Sequence, residues 1–257
     1  MNTVSMICCY NNESFINDLK NSLNGYCEYN IEWVLFDNID RKYSSAASAL
    51  NYGFTISTGD ILVFLHQDII FDNQESLTTI IQNTSDNSIV GVAGSLANSG
   101  AIISSIYDGP NRERKFNSIA KKEIIEVQTC DECLIAITRN TFNKIGGFDE
   151  KRFNGWDFYV VDLTLNAGKM GIKNLIVYTE LWHRSQGNKN TEWYWYEEEI
   201  RKKYKNDYCV INYPCGKCYT NNILQSSFRL YQPVKRHILD IVSYIKKMTK
   251  RFLHVNK

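Results

Sequence analysis

The stretch Ile61-Leu62-Val63-Phe64-Leu65-His66-Gln67-Asp68 decides the fold. Its apolar half follows Gly59-Asp60 and runs into polar residues, which is typical of a buried parallel strand. In an open α/β sheet, ligands bind beyond the carboxyl ends of such strands. A carboxylate at that edge suits a hard cation carrying phosphates, although Asp68 could equally do no more than open the following loop.

Similar apolar runs recur about every 28 residues, the length of a βα unit. Strands are predicted at 4–10, 31–36, 61–65 and 89–93, and helices at 13–24, 44–56 and 74–82. This order predicts an α/β fold with a mixed, mainly parallel sheet flanked by helices. Parallel strand ends share one edge, which would gather Tyr10, Asp37 and Asp68. Gly59 is predicted to be the left-handed residue that ends the second helix.

Composition excludes several classes of protein. The chain has 257 residues, 44% hydrophobic and 22% charged, with a net charge of +1, which is ordinary for a globular domain and disfavours nucleic acid as a partner. No apolar run reaches the roughly 18 residues that cross a bilayer, and no signal peptide opens the chain, so we expect a cytoplasmic protein. Neither a dinucleotide-binding glycine motif nor a P-loop is present.

Eight cysteines are expected to be reduced thiols in that compartment. Two C-x-x-C pairs, Cys130/Cys133 and Cys215/Cys218, could together bind zinc. The first pair runs on into a predicted strand, which favours buried thiols over a joint zinc site.

The pattern weakens between residues 94 and 127, which predicts a long, partly mobile loop of the kind that covers binding sites. The charged run at 112–115 in this loop is more typical of a solvated surface than of a phosphate clamp. Order returns with a strand at 130–137, a helix at 139–145 ended by Gly146-Gly147, a helix reaching Lys169 and a strand at 175–178.

We divide the chain into a catalytic domain (1–190), a helical, aromatic extension packed on it (191–232) and a C-terminal helix (233–257). From Lys235 to Lys257 there are seven Lys/Arg and one Asp, a net charge of +6, beside a regular apolar stripe. A basic amphipathic helix can lie on an anionic membrane surface, here the inner face of the membrane, or dock on protein. The sequence favours neither.

Taken together, the motifs resemble family 2 glycosyltransferases of the GT-A fold, over about residues 3–190. The Phe-Leu-His-Gln-Asp form, with His-Gln-Asp in place of Asp-x-Asp, is similar to a bacterial subgroup that builds surface polysaccharides. The motifs that carry the resemblance are, in order, Tyr10-Asn11-Asn12-Glu13, Asp37-Asn38, Ser45 to Asn51, Thr58-Gly59-Asp60, His66-Gln67-Asp68, Asp131-Glu132, Gly146 to Glu150, Asp162-Leu163-Thr164-Leu165 and His183.

The resemblance implies a site for each substrate. Asp68 and His183 would bind a divalent cation, Mn²⁺ or Mg²⁺, which offsets charge on the leaving diphosphate. His66 would bond a phosphate or ribose, or hold Asp68. The implied donor-binding residues are Tyr10, Asn12, Asp37, Asn51, His66 and Asp68, and the implied acceptor- or sugar-binding residues are Asp131 and Glu132. Trp156 suits stacking on a bound sugar ring, although it could equally be a buried core residue.

Inverting transfer needs a carboxylate that accepts the proton of the attacking hydroxyl. The resemblance places it at the start of the helix after Gly146-Gly147-Phe148-Asp149, where Asp157 and Asp162 are both candidates. Val160-Val161 stand where the family has a Glu-Asp pair. We favour Asp157 as the base and Asp162 as a structural or acceptor-binding neighbour, although either could merely cap the helix.

These features predict an inverting, metal-assisted glycosyltransferase of cell-surface polysaccharide synthesis. Its donor would be a nucleotide-diphosphate sugar, with a UDP-sugar favoured, and its acceptor a glycan or a lipid-linked molecule. Because the usual Asp-x-Asp and Glu-Asp motifs are altered, a catalytically silent nucleotide- or glycan-binding module is the alternative. A nucleotidyltransferase is disfavoured, since the first loop is neither basic nor glycine-rich.

Overall fold

The structure, a computed structural model, describes residues 3–113, 118–185, 189 and 191–221. The predicted C-terminal helix at 233–257 lies outside the described residues. Six helices are described: α1 (Glu13–Ser22), α2 (Ala46–Ile56), α3 (Glu75–Asn83), α4 (Arg139–Ile145), α5 (Tyr159–Lys169) and α6 (Thr191–Lys203). None of them is long and apolar enough to cross a membrane.

Seven strands form the central sheet, and the remaining strands form smaller sheets around it. The central strands are β1 (Thr3–Tyr10), β2 (Asn30–Asp37), β3 (Ile61–Leu65), β5 (Ser88–Gly91), β9 (Ile124–Val127), β11 (Leu134–Thr138) and β12 (Lys173–Val177). The others are β4 (Ile69–Phe71), β6 (Ala93–Ser95), β7 (Ile102–Ser104), β8 (Tyr107–Asp108), β10 (Thr129–Cys130), β13 (Leu181–His183), β14 (Val210–Tyr213) and β15 (Gly216–Tyr219).

The order of the central sheet is β2-β1-β3-β11-β5-β12-β9. Strands β1, β2, β3, β5 and β12 run in one direction, and β11 and β9 run against them. The predicted mixed, mainly parallel sheet is therefore confirmed. The sequence did not predict that antiparallel β11 would lie between β3 and β5.

Both faces of β3 are buried, which explains its unbroken apolar run. Leu62 and Phe64 pack in an apolar cluster on one face, whereas Val63 and Leu65 pack in a second cluster on the other. Helices α2, α5 and α6 contribute side chains to the first cluster, and α1 and α3 contribute to the second. As a result, apolar packing on both faces of the sheet fixes the carboxyl end of β3, which His66 follows.

Two predictions, one about a loop and one about the end of a helix, need correction. The region 94–127, predicted as a loop, contains β7, β8 and β9 as well as most of β6, because these short strands pair with distant segments. The helix α2 ends at Ile56 with Ser57 as its C-cap, so Gly59 does not end it. A Cβ on Gly59 would lie 2.5–2.8 Å from Ser5 and Thr3, so this glycine allows close backbone approach instead.

A small sheet with the order β4-β13-β8 lies at the edge where β3 ends. Strand β4 begins directly after Asp68, and β13 ends at His183. In the register of this sheet, His183 pairs with Ile69 on one side and with Asp108 on the other. The sheet thus brings residues that are about 115 positions apart to one point.

The helix α6 packs on the body of the protein. Its buried face places Trp193, Tyr196 and Ile200 in the first apolar cluster, and Tyr204, which follows the helix, joins them. The hairpin β14–β15 follows it and buries Tyr213 and Cys218 in the same cluster.

Candidate active site

A cavity of about 450 Å³ opens at the carboxyl edge of β1 and β3. This volume is within the range of small-ligand sites. Its lining residues are Cys9, Tyr10, Asn11, Phe15, Asn38, Ala46, Leu50, Leu65, His66, Gln67, Asp68, Trp156, Tyr159 and Ser185. None of these lining residues is a lysine or an arginine, so they offer neither of these cationic side chains to an anionic ligand.

His66 and Asp68 line this cavity, and His183 lies beside them. Their ligand atoms all lie within 4.8 Å of one another, and among the described residues they form the one such group of metal-binding side chains. His183 Nε2 is 3.4 Å from His66 Nδ1 and 3.6 Å from Asp68 Oδ1. Two imidazoles and a carboxylate suit Mn²⁺ and related divalent ions, so these residues fit the predicted metal.

Asp68 is held in place by backbone contacts. It is 4% exposed, its Oδ2 accepts a hydrogen bond from the Ser185 N–H at 3.0 Å, and its carbonyl accepts one from Arg184 N–H at 3.1 Å. Burial would raise the pKa of Asp68, but His183, His66 and the Ser185 bond together lower it. The carboxylate is therefore ionised and ready to bind a cation.

The two imidazoles differ in their affinity for a proton. Burial and the neighbouring His183 lower the pKa of His66. Burial also works against protonation of His183, but its hydrogen bond to Asp108 and the charge of Asp68 outweigh burial and raise its pKa. Of the two imidazoles, His183 therefore binds an additional proton more readily.

Of the predicted donor-binding residues, the structure brings Tyr10, His66 and Asp68 to the cavity wall. Asn12 instead caps α1, since its Oδ1 accepts hydrogen bonds from Ser14 and Phe15 N–H. Asp37 Oδ1 accepts a hydrogen bond from Ile39 N–H. The cavity wall does not include these two side chains.

Asn51 ties α2 to the turn after α4. It donates a hydrogen bond to the Phe148 carbonyl at 2.9 Å and to Glu150, and it accepts one from Phe148 N–H at 3.0 Å. It too is absent from the cavity wall. The predicted donor-binding role of Asn51 thus receives no support from its position.

Gln67 lines the cavity, although it is not among the predicted site residues. Its Oε1 accepts hydrogen bonds from Asn11 N–H at 3.0 Å and Asn12 N–H at 2.9 Å, and its Nε2 donates to Asn11 Oδ1 at 2.8 Å. It therefore holds the loop after β1 against the loop after β3. The only signal for this in the sequence is its place between His66 and Asp68.

Asp131 and Glu132 lie in the turn between β10 and β11. Asp131 Oδ1 accepts a hydrogen bond from Cys133 N–H at 2.9 Å. Both line a small pocket of about 40 Å³, together with Cys130, Phe158, Val161, Trp193, Tyr213, Pro214 and Cys215. Burial, and then the charges of Asp157 and Asp131, raise the pKa of Glu132 well above its ordinary value, which favours the protonated form.

Trp156 and Asp157 precede α5 in a tightly held loop. Trp156 is 44% exposed and lines the larger cavity. The Gly155 carbonyl accepts a hydrogen bond from Ala46 N–H at 2.9 Å, and Phe158 has a left-handed φ of 66°. Burial and the charge of Glu192 raise the pKa of Asp157.

Asp162 has a different environment, one turn into α5. It is 3% exposed, forms an ion pair with Lys203 at 2.7 Å, and accepts a hydrogen bond from the Tyr204 hydroxyl at 2.9 Å. These contacts join α5 to α6. Asp162 does not line the cavity.

The four cysteines of the C-x-x-C pairs are free thiols. Cys130, Cys133 and Cys218 are buried, and Cys215 is exposed. Burial raises the pKa of Cys218 to about 12, which keeps this thiol protonated.

A family model described as "Glycosyltransferase like family" matches residues 5–209. The chain therefore belongs to this glycosyltransferase-like family. A search of curated proteins finds no match.

Solved structures share the fold at low sequence identity. S. aureus TarS is 15% identical, with a TM-score of 0.54 over 80% of this chain and 40% of its own. TarS 1–349 in complex with UDP-GlcNAc is 16% identical, with a TM-score of 0.52 over 80% of this chain and 67% of its own. GalNAc-T7 with UDP, GalNAc and Mn²⁺ is 12% identical, with a TM-score of 0.52 over 72% of this chain and 44% of its own.

The present chain thus spans less than half the length of TarS and of GalNAc-T7. These neighbours are GT-A glycosyltransferases, and the predicted GT-A fold is confirmed. The predicted glycosyltransferase family is confirmed as well.

Proposed function

We propose that the protein is a metal-assisted glycosyltransferase that takes a sugar from a nucleotide-diphosphate donor, with a UDP-sugar favoured. The observation that carries this proposal is the cluster of His66, Asp68 and His183, two of which line the 450 Å³ cavity. A diphosphate brings negative charge to a cavity whose described lining residues include no lysine or arginine. A cation held by these three residues supplies that missing charge and stabilises the leaving group.

The related structures support the choice of ligands. GalNAc-T7 is in complex with UDP, GalNAc and Mn²⁺, and TarS 1–349 is in complex with UDP-GlcNAc. By analogy, the diphosphate of the donor lies near Asp68 in this chain, and the nucleoside lies toward Tyr10 and Asn11. Mg²⁺ is the alternative cation, since it also accepts sparse protein ligands completed by phosphate and water.

Asp157 is the proposed catalytic base. In inverting transfer, the acceptor hydroxyl loses its proton to the Asp157 carboxylate while its oxygen bonds to the anomeric carbon. The bond from that carbon to the diphosphate oxygen breaks, and the diphosphate leaves with the electron pair. Asp162 is disfavoured as the base because Lys203 and Tyr204 already occupy its carboxylate.

The acceptor would approach from the side of Asp131 and Glu132, and Trp156 would stack on a sugar ring at the cavity wall. We infer that the acceptor is a glycan or a lipid-linked molecule of cell-surface polysaccharide synthesis. If the basic segment 233–257 forms a helix on an anionic membrane, it would hold the enzyme near a lipid-linked acceptor.

The test is release of nucleotide from a panel of UDP- and GDP-sugars, with Mn²⁺, Mg²⁺ or EDTA. The proposal predicts metal-dependent release from one donor class, abolished in Asp68→Ala. Release that proceeds equally well in EDTA would contradict the proposed metal site.

A catalytically silent binding module on the same fold is the second candidate. It is favoured by the ion pair that occupies Asp162 and by the Val160-Val161 sequence before it. Metal-dependent nucleotide binding without release of sugar from any donor, in the presence of extracts containing acceptors, would support this candidate over the enzyme.

A further inference from the structure

Each imidazole of the metal cluster has one nitrogen inside the cluster and one outside. His183 Nε2 faces His66 and Asp68, whereas its Nδ1 lies 3.1 Å from Asp108 Oδ1. His66 Nδ1 faces His183, and its Nε2 lies 3.5 Å from the Tyr159 hydroxyl. Asp108 therefore contacts His183 from outside the cluster.

The Asp108 contact determines which nitrogen of His183 can bind a metal. A neutral imidazole carries its proton on one nitrogen and a lone pair on the other. A carboxylate accepts hydrogen bonds, and Asp108 Oδ1 is within hydrogen-bond distance of Nδ1 at 3.1 Å, whereas Asp68 Oδ1 is 3.6 Å from Nε2, which lies 3.2 Å from the Ser185 hydroxyl. The proton of the neutral ring is therefore assigned to Nδ1. The lone pair on Nε2 then points into the cluster, as metal ligation requires.

Backbone pairing delivers Asp108 to this position. Strand β8 pairs with β13 so that Asp108 is in register with His183. Gly109 N–H donates to the His183 carbonyl at 2.9 Å, and the Trp182 Nε1–H donates to the Gly109 carbonyl at 2.8 Å. Asp108 also exchanges backbone hydrogen bonds with Glu113, which closes a short turn.

A stack of aromatic and guanidinium groups fastens this turn to the body. Arg112 lies over Trp182 at 4.7 Å and over Tyr107 at 5.5 Å, and it forms an ion pair with Asp72. Arg184 also lies near Trp182, 5.1 Å from the centre of the same ring. These contacts hold Asp108 without using any of the three metal-binding side chains.

We propose that Asp108 is a positioning residue for the metal site, which holds His183 in the tautomer and orientation that bind the cation. This inference rests on the proposed metal-assisted function and adds to it a residue from the region 94–127. Because the turn at 107–113 is fastened by its own contacts, Asp108 orients His183 before the cation arrives.

Two measurements on the full chain test this role. Long-range ¹H–¹⁵N spectra in mildly alkaline buffer report the tautomer of each imidazole without metal, and the chain has only four histidines to assign. Unchanged protein is expected to show His183 protonated at Nδ1, and Asp108→Ala should shift the proton to Nε2. Titration calorimetry with Mn²⁺ should show affinity weakened about 10- to 100-fold in Asp108→Ala.

Asp108→Asn separates positioning from general damage to the fold, because the amide oxygen can still accept the hydrogen bond from Nδ1. This variant should keep the Nδ1 tautomer and recover most of the Mn²⁺ affinity. The matched control is Asp86→Ala. Asp86 also accepts side-chain hydrogen bonds, from Thr138 and Asn140, but it lies at the opposite edge of the sheet, so the variant should change neither measurement.

The outcomes distinguish the two proposals. If unchanged protein binds Mn²⁺ and Asp108→Ala binds it equally well with the same tautomer, the role of Asp108 is overturned and the metal site stands. If unchanged protein binds no Mn²⁺ with or without UDP, the metal-assisted function fails, and the positioning role fails with it.

Discussion

Three carboxylates near the start of α5 differ in chemistry because their surroundings differ. Glu132 is in a buried position that favours its neutral form, Asp162 is neutralised by Lys203, and Asp157 lies in a partly exposed loop beside Trp156. A base must be ionised at rest and must reach the acceptor. For this reason we propose Asp157, and not Glu132 or Asp162, as the base.

The first prediction separates the roles of Asp157 and Asp162. Asp157→Asn should lower kcat by about 10²- to 10⁴-fold with little change in stability, because it removes the proton acceptor. Asp162→Asn should lower the free energy of unfolding by about 1–3 kcal/mol, because it removes the charge of a buried carboxylate that bonds Lys203, which keeps Asp149 as its other partner. Steady-state kinetics and urea unfolding measure both effects. A larger loss of kcat in Asp162→Asn, at full stability, would reverse the assignment.

Glu132 carries a prediction about pH. Its pKa in the folded protein is raised by burial and then by Asp157 and Asp131, whereas a glutamate in the unfolded chain has a pKa of about 4.3. Between those two pKa values the folded state binds the additional proton, so stability falls as pH rises through this window. Glu132→Gln stays uncharged and should lose this fall, with a higher free energy of unfolding at neutral pH. Urea unfolding in EDTA across a pH series measures it, and parallel curves for the two proteins would contradict it.

From the sequence alone, the place of a residue at the end of a strand can be predicted, whereas a position that depends on tertiary pairing cannot. Asp68 and Tyr10 reach the cavity because they follow buried strands. Asp108 lies on a two-residue strand with no periodic pattern, and only its pairing with β13 brings it to His183. The side chains of Asn12 and Asn51 instead form hydrogen bonds within the protein, Asn12 at the start of α1 and Asn51 with Phe148.

At the level of elements, periodicity predicted the helices and the parallel strands because burial on defined faces requires it. It could not predict the position of β11 between β3 and β5, since a strand's own sequence does not record its neighbours. The same limit explains why 94–127 was predicted as a loop. Its strands have only two to four residues, too few to show alternation.

The contact between α6 and the loop before α5 leads to a prediction for Gly155. A Cβ at this position would lie 2.2–2.8 Å from the ring and hydroxyl of Tyr196. Gly155→Ala should therefore displace α6 or the loop that carries Trp156, with a loss of about 1–3 kcal/mol in stability and a lower kcat. Urea unfolding and kinetics measure this.

Gly168→Ala, within α5, is the matched control for that substitution. Its added Cβ would meet only the Tyr208 hydroxyl, at 3.2 Å. It should preserve activity. Equal kinetics for the two variants and for unchanged protein would show that α6 does not support the catalytic loop.

The whole molecule combines a mildly acidic body with a basic C-terminal segment. The segment Lys235–Lys257 carries a net charge of +6, and the rest of the chain carries −5. Such a separation of charge favours an oriented approach to an anionic surface.

We expect the full chain to bind vesicles that contain phosphatidylglycerol and to release them at high salt. Replacement of Lys246, Lys247, Lys250 and Arg251 by glutamine should weaken binding by about 1 kcal/mol for each charge at the surface. Vesicle sedimentation measures this, and neutral phosphatidylcholine vesicles are the control. Equal sedimentation of the glutamine variant would favour docking of this segment on protein.

The central claim is that His66, Asp68 and His183 hold a cation that binds the diphosphate of a nucleotide donor. The most direct measurement is thermal unfolding with UDP, GDP, CMP or dTDP, each with Mn²⁺, Mg²⁺ or EDTA. A ligand at 100 times its Kd adds about 2.7 kcal/mol of stability, which raises Tm by roughly 5–10 °C in a chain of this size. The account predicts such a rise for UDP with Mn²⁺, with loss of the rise in EDTA and in Asp68→Ala. A rise that is the same in EDTA, or no rise with any nucleotide, would contradict it.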